Sequence, residues 1–94
     1  YCITEDLSGQ SHSLAQSLNS HLAGGHRPER VGPHEDKRGL AIIQDTAFPV
    51  ILDEPTYIDQ WQQQRWVLAN VSSLANRYVA WIGWLTKNRD AFGF

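Results

Sequence analysis

Leu7, Leu14, Leu18 and Leu22 recur at spacings of seven, four and four on a background of Ser, Gln and Asn. That rhythm keeps one narrow face of a helix apolar. Thr4, ahead of Glu5 and Asp6, supplies a hydroxyl cap and two acids for a first turn, so an amphipathic helix is expected over 4–23. Gly24 and Gly25 provide the left-handed residue that ends it. Gly9 and the serines lower its intrinsic propensity, so it needs packing to persist.

Residues 24–39 carry two prolines, mixed charge and Val31 as their only large aliphatic side chain, which describes a mobile loop. Leu40-Ala41-Ile42-Ile43 and Phe48-Pro49-Val50-Ile51-Leu52 are two short apolar, Ile- and Val-containing runs, and a hairpin over 40–52 is their simplest reading. Pro49 cannot donate to a ladder and confines its strand to an edge.

A second helix is expected over 55–87, with Thr56 as cap and Asp59 three residues on. Asn70-Val71-Ser72-Ser73 offers capping side chains for a break, and Gly83 is a second weak point. The apolar pattern runs in phase across both places, which favours one long helix. Trp61, Gln64, Leu68, Val71, Ala75, Tyr78, Ile82 and Leu85 alternate three and four apart, a coiled-coil-like seam with one polar member. Trp66 and Trp84 are eighteen residues apart, which on a straight helix returns them to one azimuth, nearly opposite the seam. Trp81 lies between the two faces. A helix apolar on more than one side is usually covered on more than one side.

Composition narrows the possibilities. In 94 residues there is room for one small domain, and 41% hydrophobic with 19% charged content allows it to fold around a thin core. The net charge of −2 argues against a nucleic-acid binder. The cations concentrate in the C-terminal third, where Arg65, Arg77, Lys87 and Arg89 face Asp90 alone. Binding of an anionic membrane surface or of a nucleic acid through this basic third is therefore a third reading, with Trp81, Trp84 and Leu85 at headgroup depth in the membrane case and the cations reaching phosphates. A chain that opens on Tyr1 and has no Met reads as a processed product or fragment, exported or cut from a membrane-anchored protein.

Cys2 has no intrachain partner and is either an incidental thiol or an intermolecular bridge. No phosphate loop, nucleophile elbow, HExxH or calcium loop is present, so no cofactor, metal or catalytic residue is assigned. His26 and His34 sit in the loop without fixed spacing. Asp53 and Glu54 suit a helix start better than an acid/base pair, and Asn70-Val71-Ser72 matches a glycosylation tripeptide inside the expected helix.

The expected fold is α+β and mostly helical: an N-terminal amphipathic helix, mobile loop, short β-hairpin and long C-terminal helix packed antiparallel to the first. The expected role is a non-catalytic protein-interaction or assembly module that joins a homo- or hetero-oligomer. Trp61, Trp66, Tyr78, Trp81 and Trp84 are its candidate partner contacts, because aromatic side chains are enriched at hot spots. The competing class is a small-ligand-binding or metal-dependent enzyme domain with an aromatic pocket closed by the histidine loop.

Overall fold

The computed structural model describes residues 2–5, 9–23, 33–54 and 60–93. The fold is α+β and mostly helical, with a small three-stranded sheet and a long C-terminal helix against the first helix. The elements are β1 (Cys2–Thr4), α1 (Gly9–Ala23), β2 (His34–Glu35), α2 (Ala41–Gln44), β3 (Leu52–Asp53), α3 (Trp61–Ala69) and α4 (Val71–Asn88). A 3-10 turn, Arg89–Phe92, follows α4.

The first helix begins later than its leucine rhythm suggests. Cys2, Ile3 and Thr4 form the central strand, parallel to β2 (Ile3 beside His34) and antiparallel to β3 (Ile3 beside Leu52). All three residues are buried, so Thr4 is a strand residue and not a helix cap. Among the described residues α1 opens at Gly9, whose φ of +76° is a left-handed backbone that glycine adopts readily. From there Leu14, Ala15, Leu18 and Leu22 are buried along one face of α1. Leu7, Gly24 and Gly25 lie outside the described residues.

The expected 40–52 hairpin does not form. Ala41–Gln44 is one short helical turn, and β3 pairs with β1 rather than with residues 40–43. Asp36 supplies the reason. Its carboxylate accepts from the backbone N–H of Arg38 (3.0 Å) and Leu40 (2.8 Å) and from the Gln44 side-chain amide (3.0 Å). Those local bonds stabilise a turn where the β-branched pattern alone suggests a strand. The Gln44 amide foremost, then the two backbone donors and the charge of Arg38, hold the Asp36 carboxyl below its ordinary range. The expected loop is also partly ordered: Asp36 N–H donates to Thr4 O at 2.6 Å, next to β2. Residues 24–32 lie outside the described residues.

The long second helix is two helices. At Asn70 the backbone leaves helical geometry (φ −123°, ψ 20°), and its N–H bonds to Val67 O, three residues back. The Asn70 side chain donates to Trp66 O at 2.7 Å, satisfying a carbonyl that the break would otherwise orphan. Its amide is thus engaged in the chain's own structure. The expected start at 55–59, with Thr56 and Asp59, lies outside the described residues. Asp53 and Glu54 are not helix caps: Asp53 belongs to β3, and Glu54 pairs with Arg38 at 3.6 Å.

Helices α1 and α4 run antiparallel, since rising positions on one meet falling positions on the other. Ser17 Oγ accepts from Trp81 Nε1 at 2.9 Å, and the His21 carbonyl accepts from Arg77 Nη1 at 2.7 Å. Cys2, Ala15, Leu18, Leu22 and Leu74 form the core between them, joined by Ile51, Trp66, Val67, Tyr78 and Trp81.

Candidate functional site

The α3–α4 break changes how the seam must be read. With Leu74 as origin and about 100° per residue, Trp81, Leu85 and Tyr78 fall within about 40° of it, on the side facing α1. On the same wheel Val71, Ile82, Ala75, Thr86, Val79 and Ser72 occupy the next sector, from about 60° to about 160°. That sector is turned to solvent: Val71 is 54%, Val79 67% and Ile82 56% exposed, and Ala75, Ser72 and Thr86 are exposed too. One edge of the seam is internal and the other is bare. Leu68, one turn earlier at the end of α3, is 75% exposed.

The bare sector carries no charge. Arg77 points the other way, to the carbonyl end of α1, and Lys87 lies roughly 110° from the middle of the sector. Gly83 borders it, and a Cβ built there would meet nothing within 4 Å. The surface is thus aliphatic, small-featured and uncharged along α4.

The five aromatic residues separate. Trp66, Tyr78 and Trp81 are half-buried and pack against the chain's own core. Trp61 is exposed at the start of α3, with the Arg65 guanidinium 5.4 Å from its ring centroid. Trp84 is set between His21 (ring centroids 5.3 Å apart) and Phe92 (5.7 Å). Trp66 and Trp84 do not share a face of one rod, because the helix that would carry both is broken at Asn70. Three of the candidate contacts therefore support α4 from inside.

A polar cluster that the sequence pattern does not disclose ties the sheet to both long helices. The buried Cys2 thiol lies 3.3 Å from both Asn19 Oδ1 and Asp53 Oδ1, two acceptors for its one proton, and the Tyr78 hydroxyl donates to the other Asp53 oxygen. In this fold Cys2 is enclosed, which removes it as a surface bridge. The one available signal is Asn19, a polar residue four places after Ala15 on the apolar side of α1.

For small-ligand chemistry the structure provides less. A cleft of about 260 Å³ opens between Glu5, the start of α1 and Thr46 to Pro49, and among the described residues its lining includes no tryptophan and no histidine. His34 lies exposed on β2, and His26 is outside the described residues. Among the described residues no three His, Cys, Asp or Glu side chains are grouped to hold a metal ion. Among them, too, no helix is long and apolar enough to cross a membrane. No family model matches this chain, and neither a curated protein nor a solved structure shows significant similarity to it.

Proposed function

We propose that this chain is a non-catalytic assembly module that docks an apolar helix of a protein partner along the solvent edge of α4. The observation that supports the reading is the uncharged row Val71, Ala75, Val79 and Ile82, exposed on a helix whose other edge is already packed on α1. A single exposed aliphatic residue would mean nothing. A row repeated at helical spacing along α4 is the surface a second helix fills with its own knobs.

The shape of the row favours protein over lipid. Helices that lie in a membrane interface put bulky aromatic and leucine side chains at the centre of their apolar face. Here the centre is Ala75, Val79 and Ile82, while Trp84 is turned toward His21 and Phe92. Small and β-branched side chains let two helix backbones approach closely. Trp66, Tyr78 and Trp81 serve this role indirectly, as the internal anchors that hold α4 in place.

The test uses a labelled three-heptad peptide with Leu at its a and d positions as a generic helical probe. Its fluorescence anisotropy should rise saturably with the protein, and Val79→Glu or Ile82→Glu should weaken uptake at least about tenfold while the circular dichroism is unchanged. Either no uptake by the unmodified protein, or equal uptake by folded Val79→Glu, would overturn the proposal.

A further inference from the structure

We propose that Asn70 is an acceptor for N-linked glycosylation, presented at the break between α3 and α4. Asn70-Val71-Ser72 has the required form, an amide followed two places on by a hydroxyl, with a residue other than proline between them. It is the one such tripeptide in the chain. By itself the motif says little, since short motifs arise by chance. Inside a continuous helix it would also be badly placed, because side chains two apart lie about 200° around the axis and the amide and hydroxyl face different ways. An acceptor belongs at the surface, in a loop or turn.

The break supplies that setting. Asn70 is the non-helical residue between two helices, with φ −123° and ψ 20°. Leu68 and Ala69 before it and Val71 and Ser72 after it are exposed, and Asn70 itself is half-buried. Asn70 holds the N-cap position of α4 without capping it, because its side-chain amide turns back to Trp66 O. The first turn of α4 therefore keeps backbone N–H groups that no side-chain cap holds, and such helix ends open at little cost. Opening lets Val71 and Ser72 follow Asn70 out of helical geometry.

The bond to Trp66 does not block the amide. Asn70 Nδ2 carries two hydrogens, and one serves Trp66 O at 2.7 Å. In the transfer, Nδ2 bonds to the anomeric carbon of a lipid-linked oligosaccharide. The bond from that carbon to the diphosphate oxygen breaks, and the polyprenyl diphosphate leaves with the electron pair. Nδ2 gives one proton to a base of the transferase and keeps the other. The glycosylated amide thus retains an N–H for Trp66 O, and the closure of α3 survives the modification. This site is separate from the docking edge: at about 1.5 Å per residue, Val79 and Ile82 lie roughly 13–18 Å further along α4.

The test expresses the whole chain behind a cleavable signal peptide in a eukaryotic host, and reads the signal-cleaved protein of cells and medium by mass spectrometry. It should carry a single glycan, removed by a peptide N-glycosidase that converts residue 70 from Asn to Asp. Ser72→Ala should abolish the modification and Ser72→Thr should retain it. Position 72 is exposed, so neither change disturbs the core. The glycosylated chain should show the same helical circular dichroism as Ser72→Ala, as a retained bond to Trp66 requires. Signal-cleaved wild type without sugar overturns the inference, and so does a glycan that persists in Ser72→Ala. Loss of helical signal on glycosylation overturns it too, because the break would then not accommodate the sugar.

Discussion

Truncating Leu74 and Ile82 in turn asks which edge of α4 stabilises the chain itself. Leu74 is 6% exposed and belongs to the core with Ala15, Leu18 and Leu22, so Leu74→Ala removes methyl groups that the neighbours cannot replace. Such changes cost about 2–5 kcal/mol. At about 0.05–0.15 kcal/mol per residue a chain of this length holds roughly 5–14 kcal/mol, so the loss is a large share of the total. It should lower Tm by roughly 8–40 °C, at about 4–8 °C per kcal/mol for a domain of this size. Ile82 is more than half exposed, so Ile82→Ala forfeits only part of a side chain's burial and gains some helix propensity. The net cost should be about 1 kcal/mol or less. Urea unfolding followed by far-ultraviolet circular dichroism, at protein concentrations too low for association, measures both. Equal losses for the two variants would refute the division of α4 into an internal and a bare edge.

The Tyr78 hydroxyl donates to Asp53, so Tyr78→Phe should cost about 1.5–3 kcal/mol, the range for hydrogen bonds to charged groups, reduced by its partial exposure; a Tm equal to wild type would show that this bond contributes nothing. Cys2 is enclosed by Asn19 and Asp53 and should resist a thiol reagent under native conditions, reacting in step with unfolding as urea rises; prompt reaction of the folded protein would contradict the placement of β1. The folded Asp36 carboxyl lies below its ordinary value of 3.8, so its contribution is complete above that value and is lost as pH falls through the lower, folded one. Asp36→Asn should therefore flatten the pH dependence of stability below about pH 4, and an unchanged acid slope would remove Asp36 as the residue that fixes the turn before α2.

How much of this was legible in the residues differs from element to element. The buried row Leu14, Leu18 and Leu22 followed from spacing, because a helix packed on one side needs only that regularity. The antiparallel pairing of the outer helices followed from the same argument applied to α4. Periodicity did not disclose β1, whose three residues are too few to show a period and whose partners, His34 and Leu52, are distant in sequence. It also misread Leu40 to Ile43, where a hydrophobic, β-branched run is bent into a turn by the Asp36 carboxylate, from outside the run.

The seam is the most instructive case. Counting in threes and fours identified a sector of α4 rich in apolar residues, and that sector exists. What the count could not contain is the offset between the sector's centre and the direction of α1. The first helix meets α4 along Leu74, Tyr78 and Trp81, one edge of the seam, because Ser17 accepts from Trp81 and the His21 carbonyl accepts from Arg77. With those two bonds and the burial of Leu74, the aromatic edge of α4 turns inward and the aliphatic edge is left outside. Residue type alone suggests the reverse, since tryptophan dominates binding energetics wherever it reaches an interface. In a domain this small the largest side chains are also the ones its own core can least do without. The candidate surface therefore passes from the indoles to the plainer row of Val71, Ala75, Val79 and Ile82.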